Sequence, residues 1–185
     1  MRIISGTAGR RNIRVPGSVA RPSTDRLREA LFSILRERVE GSRVLDLFAG
    51  SGALGLECLS RGAASCVFVD DSREAQEVMK KNLSELSLTG GRVNGGEVFR
   101  MLQGDRGEYD LIFADPPYFK ALGDVDFIEQ LLTHEGLGER LSVDGLLIVE
   151  DPPRNRRREY EGWKLLDQRK YGGCGILFYQ RQVTA

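Results

Sequence analysis

From Thr24 onward, apolar residues recur at helical spacing. Leu27, Ala30, Leu31, Ile34 and Leu35 follow i, i+3, i+4 and predict a helix to about Val39. Thr24 can cap its start, Asp25 suits the positive end of the helix, and Gly41 stops it. Beyond it, short apolar runs alternate with amphipathic stretches. Strands are expected over 44–48, 66–70, 92–94, 109–114 and 146–150, with helices beginning near Ala53, Ser72, Glu97 and Asp124. This alternation predicts an α/β fold: a mostly parallel sheet with helices on both faces. In "WKLLDQRKYGGCGILFYQ", strand-like runs flank Gly172-Gly173, so the sheet should finish with an antiparallel pair. At the other end, "RIIS" and "RNIRV" flank "GTAG" and read as a two-stranded hairpin, with an irregular connection at Pro16, Gly17 and Pro22. A hairpin extension over 1–22 on a single domain over 23–185 is the expected organisation.

Composition changes this picture little. The 185 residues are 41% apolar and 29% charged, ordinary for one globular domain. The longest apolar run, "GLLIV" at 145–149, is far too short to cross a bilayer, and a cytosolic monomer is expected. Cys58, Cys66 and Cys174 form no C-x-x-C pair and suggest buried thiols rather than a metal or disulfide framework. The single histidine, His134, falls on an expected helix, so any chemistry here must run without a histidine base.

Charge is more informative. The chain is neutral overall, yet residues 1–28 hold seven arginines (Arg2, Arg10, Arg11, Arg14, Arg21, Arg26 and Arg28) against one acid, Asp25. A basic arm on a mildly acidic body suits phosphate binding if the cations gather on one side. "RNRRR" at 154–158 adds four more.

"DLFAGSGALG" at 46–55 contains G-x-G-x-x-G between an expected strand and an expected helix, the context in which this pattern holds a nucleoside cofactor. Gly50 and Gly52 allow a tight turn and close approach of a ligand, and Gly55 allows helix and sheet to pack. Asp70 ends the next strand, where it can hold ribose hydroxyls. These features fit a nicotinamide dinucleotide and S-adenosylmethionine equally. Asp46 separates them: a carboxylate facing the glycine loop repels a pyrophosphate and accommodates an ammonium.

"DLIFADPPYF" at 110–119 is an apolar strand stopped by Asp115-Pro116-Pro117-Tyr118. The prolines end the strand rigidly and leave the Pro116 carbonyl and the Asp115 carboxylate as acceptors. Two acceptors suit an exocyclic amine: they take its hydrogens and aim its lone pair at an electrophilic methyl, while Tyr118 stacks on the base. Asp151-Pro152-Pro153-Arg154 repeats the first three residues but has arginine in place of the aromatic, and reads as a turn. The strand bearing Asp115 is expected beside the glycine-loop strand, where ligands bind in open α/β sheets.

Together, "MRIISGTAGRRNIRVP", "RPSTDRLREALFSIL", "VLDLFAGSGALGLECLSRGA", "VFVDDS", "DLIFADPPY" and "KYGGCGILFYQ" resemble the RsmD family, bacterial methyltransferases of guanine N2 in 16S ribosomal RNA. The resemblance spans nearly the whole chain. It implies a Rossmann-like methyltransferase fold with a seven-stranded sheet and an N-terminal hairpin that contributes to RNA binding. It places S-adenosylmethionine against Asp46, Phe48, Gly50, Gly52 and Asp70, and the target amine against Asp115, Pro116 and Tyr118. Where related sequences often have Asp before the helix after the third strand, to meet the adenine amine of the cofactor, Glu97 stands here, behind Gly95-Gly96, as the cofactor-binding residue the resemblance implies. The implied RNA contacts are Arg10, Arg11, Arg21, Thr24 and Arg26, on 16S rRNA free or within an assembling 30S particle with its ribosomal proteins. The arm over 1–22 is expected to be removable with little loss of cofactor affinity.

Rival readings are an N6-adenine methyltransferase on DNA or RNA, a nicotinamide oxidoreductase, which would leave Asp115-Pro116-Pro117-Tyr118 idle, and a catalytically silent RNA-binding module. The methyl position on digested nucleosides separates the first, cofactor binding the second and turnover the third.

Overall fold

The structure, a computed structural model, describes residues 1–17, 24–117, 126–151 and 159–182. Seven strands form one sheet: β1 (Arg43–Leu47), β2 (Ser65–Asp70), β3 (Gly91–Gly95), β4 (Tyr109–Ala114), β5 (Leu141–Asp151), β6 (Trp163–Tyr171) and β7 (Cys174–Arg181). Their order is β3-β2-β1-β4-β5-β7-β6. The first five run parallel, and β7 pairs antiparallel with both β5 and β6. Strand order reverses direction between β1 and β4, so the switch point lies between the glycine-loop strand and the Asp115 strand. The β6–β7 turn is Gly172-Gly173, with Gly172 at φ 61°, as the sequence required.

Buried strands read as continuous apolar runs because both faces are covered. One core, built from Val44, Cys66, Phe68, Leu111, Phe113, Ile148 and their neighbours, meets α1 (Asp25–Leu35), α2 (Ala53–Ser60) and α3 (Arg73–Leu86). The other, with Leu45, Val67, Ile112, Leu147 and Leu177, meets α4 (Val98–Gly104), α5 (Phe127–Leu132) and α6 (Glu135–Arg140). Helix starts follow side-chain acceptors. Thr24, Ser72, Glu97 and Asp126 cap α1, α3, α4 and α5, and His134 caps α6 through Nδ1 to the Gly136 N–H at 3.1 Å. Two expectations change. α1 ends at Leu35 and tightens into a 3-10 turn over Arg36–Arg38, and His134 lies before α6 rather than within it.

The N-terminal hairpin is present but belongs to the core. The Ile3 N–H donates to the Arg11 carbonyl and the Ile3 carbonyl accepts from the Arg10 N–H, and Ile3, Ala8 and Ile13 are buried with α1 and α2. The Ile4 and Ser5 N–H groups donate to the fully buried Glu57 of α2 at 2.7 and 3.0 Å, and Arg11 reaches the C-terminal carbonyls of α3. Residues 1–17 therefore pack as a first layer on the body rather than as an independent arm.

Candidate active site

The glycine loop leaves β1 through Phe48, whose φ of 58° is a left-handed conformation that a phenylalanine seldom adopts. Its ring is held by Phe99 and Phe127, with centroids 6.4 and 5.9 Å away, so packing offsets the backbone cost. Gly52, at φ 75°, is the cap position of α2 and carries no side chain to satisfy the first turn. The missing acceptor comes from the strand: Asp46 Oδ2 accepts from the Gly55 N–H at 2.9 Å. Gly55 itself must be glycine, since a Cβ there would lie 2.4 Å from Phe68 Cε1 and 2.5 Å from Cys66 Sγ.

Asp70 closes the loop from the other side. One oxygen accepts from the Gly50 N–H at 2.8 Å and the other from the Ser72 N–H at 2.9 Å. Asn82 of α3 adds a third tie, donating to the carbonyls of Ser51 and Arg14 and accepting from the Arg14 N–H at 2.8 Å. The glycine loop and the N-terminal hairpin thus share one buried side chain. Glu97 spends both carboxylate oxygens on the Phe99 and Arg100 N–H groups, each at 2.9 Å, capping α4 at the exposed end of the site.

Asp115 follows β4 directly and Pro116 is buried behind it, while Tyr118 lies outside the described residues. Side chains alternate along strands. Since Phe113 and Ile148 face α1, Asp115 and Glu150, each two residues on, face the same way. Asp46 pairs with Phe113 and lies on that face too, so β1, β4 and β5 present a row of three carboxylates. Burial pushes the Asp46 carboxyl up to about 7, against the Gly55 bond and helped by the charge of Asp70. Burial, then the charges of Glu150 and Asp46, hold Asp115 well above the usual carboxylate range. Beside it lies a small cleft lined by Leu27, Arg28, Leu31, Phe113, Ile148 and Glu150 among others.

The basic arm is less free than its composition implies. Arg2 pairs with Asp25 at 3.1 Å, Arg14 with Glu85 at 2.7 Å, and the fully buried Arg28 with Asp25 at 2.8 Å. Arg11 is engaged by α3. Arg10 and Arg26 are exposed and form no ion pair among the described residues, and Thr24 spends its hydroxyl on the Leu27 N–H. Arg21, the 154–158 cluster and Pro152 and Pro153, expected in a turn, lie outside the described residues, whereas Asp151 is a buried end of β5. Pattern reasoning missed Glu57, Asn82 and Glu150. Glu57 and Asn82 sit on buried helix faces, the one available signal. Glu150 merely ends a strand, and nothing local marks it.

A glycine loop closed by two carboxylates, beside an Asp-Pro-Pro strand end at the switch point, fits an adenosyl cofactor with a positively charged amino-acid part. Fold and site define an S-adenosylmethionine-dependent methyltransferase. Residues 1–180 match the family model described as "Conserved hypothetical protein 95", and the chain belongs to that family. Ribosomal RNA small subunit methyltransferase D of Escherichia coli (strain K12) is 34% identical over 185 residues, 99% of this chain and 91% of that one. "Putative rRNA methyltransferase YlbH" of Bacillus subtilis (strain 168) is 35% identical over 192 residues, 98% of this chain and 100% of that one. The solved structure "Putative methyltransferase yhhF from Escherichia coli" superposes with a TM-score of 0.83 at 33% identity, covering 100% and 99% of the two chains. The fold alone extends to SMU.776, a structure complexed with SAH, at 18% identity and a TM-score of 0.64.

Proposed function

We propose that this protein transfers a methyl group from S-adenosylmethionine to the N2 amine of a guanine in 16S ribosomal RNA. The observation that carries this reading is Asp115-Pro116 at the end of β4, one strand from the glycine loop, inside a family whose named relatives methylate ribosomal RNA.

Bound S-adenosylmethionine supplies an electrophilic methyl on a sulfonium. Asp46 and Asp70 hold the loop that receives it, Asp70 offers remaining lone pairs to ribose hydroxyls, and Asp46 offers negative charge near the ammonium. Glu97 fixes the start of α4 as its helix cap and, like Asp70, keeps lone pairs, here for the cofactor's adenine amine. Asp115 and the Pro116 carbonyl accept the two amine hydrogens and direct the lone pair at the methyl. The N–C bond forms as the S–C bond breaks, and a proton leaves the methylated nitrogen, which by then is acidic and needs no strong base. Tyr118 is assigned the stacking role on the base. The target edge is hidden in a paired guanine, so the base must be unpaired or swung out, with Arg10, Arg21 and Arg26 holding flanking phosphates and Arg11 contributing from its seat on α3.

The test is methyl transfer from labelled S-adenosylmethionine to small ribosomal subunits from cells lacking the modification, followed by mass identification of the nucleoside. N2-methylguanosine in 16S RNA supports the proposal. N6-methyladenosine keeps the cofactor and overturns the base.

A further inference from the structure

The closing motif Lys170-Tyr171-Gly172-Gly173 takes no part in the transfer above, yet strand direction sets it at the catalytic end of the sheet. β7 runs antiparallel to β5 and β6, with Asp151 opposite Gly175 and Tyr171 opposite Cys174. The β6–β7 turn therefore stands at the end where Asp115 leaves β4 and the glycine loop leaves β1. Register fixes the face as well. Arg169 pairs with Ile176 and Ile176 with Glu150, all on the α1 face with Asp115, and Tyr171 is one pleat further out on that face. Only β5 and β7 lie between β4 and β6, so Tyr171 stands roughly 15 Å along the sheet end from Asp115.

Little of this turn is spent on the protein. A Cβ at Gly172 or Gly173 would meet nothing within 4 Å, so the tip projects into open space. Tyr171 is half-buried: its ring packs partly against the α1-side core, and its hydroxyl forms no hydrogen bond among the described residues. Lys170 is exposed and forms no ion pair among the described residues, whereas neighbouring Arg169 is held by Asp167 at 2.7 Å. Consecutive side chains point to opposite faces, so Tyr171 and Lys170 flank the tip. A partly open ring beside an unpaired cation is the combination that holds a single strand of nucleic acid, the ring stacking on a base and the cation meeting its phosphate. A target base swung out of its stack leaves neighbours that have lost a stacking partner. We propose that the β6–β7 turn is a second RNA contact, with Tyr171 stacking on an unpaired base near the target and Lys170 meeting the adjoining phosphate. This rests on the ribosomal RNA reading above, whichever guanine is methylated. The N-terminal hairpin sits on α2 and α3, which cover β1, β2 and β3, while the turn ends the other half of the sheet, so the RNA is gripped on both sides of Asp115.

The experiment compares wild type with three variants on small ribosomal subunits lacking the modification. Tyr171→Leu keeps apolar packing but has no ring to stack, Tyr171→Phe keeps the ring, and Lys170→Gln removes the charge. Tyr171→Leu should raise the KM for subunits by about 10-fold, the scale of one lost base stack, with kcat, S-adenosylmethionine affinity and melting temperature near wild type. Tyr171→Phe should behave as wild type. Lys170→Gln should make the salt dependence of RNA binding shallower by about one phosphate contact. A wild-type KM in Tyr171→Leu, or an unchanged salt slope in Lys170→Gln, overturns the proposal. A second measurement holds even if the leucine variant folds poorly. A photoreactive benzoylphenylalanine in place of Tyr171 should crosslink to 16S RNA in the subunit; crosslinks to a ribosomal protein alone, or none, overturn the RNA contact. If wild type methylates no ribosomal RNA, the reading beneath this assignment has failed, a result distinct from a silent Tyr171 variant.

Discussion

The carboxylate of Asp46 on β1 caps α2 from a distance, accepting from the Gly55 N–H at 2.9 Å because the residue at the cap position, Gly52, has no side chain. The acid that the sequence suggested as a partner for the cofactor's ammonium is therefore also the bond that shapes the glycine loop. With its folded value raised from 3.8 to about 7, Asp46 keeps a proton that the unfolded chain has released. Stability without cofactor should therefore fall as pH rises between those values. Asp46→Asn removes this dependence and still accepts from Gly55. Melting curves at pH 5 and pH 8 should show the variant gaining on wild type at the higher pH, by on the order of a kcal/mol or more, while its S-adenosylmethionine affinity drops. Parallel pH profiles for the two proteins would remove Asp46 as the titrating group.

Asp115→Ala should leave cofactor binding intact and reduce methyl transfer by about 100-fold or more, the scale of losing a positioned acceptor at the reacting group. Asp115→Asn keeps an acceptor oxygen and should retain more activity than alanine. Because burial and neighbouring charges raise the Asp115 carboxyl, the wild-type rate should climb with pH well above the ordinary carboxylate range. That limb should vanish in the asparagine variant. Single-turnover rates across pH decide the matter, and wild-type turnover in Asp115→Ala sinks the assigned role.

Asn82→Ala removes three hydrogen bonds that join the hairpin to the glycine loop. Stability should fall by about 2–4 kcal/mol, given the buried groups left unpaired. Because the Ser51 carbonyl loses its tie, S-adenosylmethionine affinity should fall as well. Denaturant midpoints and calorimetric titration measure the two effects; an unchanged affinity would separate hairpin from loop.

Deleting residues 1–22 would remove Ile3, Ala8 and Ile13, uncover the α1 and α2 surfaces they bury, and so unfold more than an arm. The RNA role is better tested by Arg10→Glu with Arg26→Glu, at exposed positions. RNA binding should weaken and its salt dependence become shallower by roughly two phosphate contacts, with the melting temperature unchanged. Binding curves at several salt concentrations would show an unaltered slope if these arginines do not touch phosphate.

Gly55→Ala should destabilise the fold by about 1–3 kcal/mol, because the added methyl runs into Phe68 and Cys66. A chemical denaturation midpoint equal to wild type would mean that α2 and β2 have room the geometry denies them.

The sequence by itself determined the elements. Periodicity located five parallel strands, the closing hairpin and α1, because helices and buried strands carry their own spacing of apolar residues. The glycine loop, Asp70 and Asp115-Pro116 were legible for the same local reason: each sits at the end of a strand that the apolar pattern marks. Only the tertiary structure decided what the charged residues do. Composition counted seven arginines in the first 28 residues, yet Arg2, Arg14 and Arg28 are ion-paired and Arg11 is seated on α3, because a charge's partner is set by distant chain. Glu97 likewise became a helix cap and Asp46 a loop clamp. Glu150 stayed invisible until β5 was laid beside β4, since the proximity of two carboxylates 35 residues apart is a property of strand order and register, which no local pattern encodes.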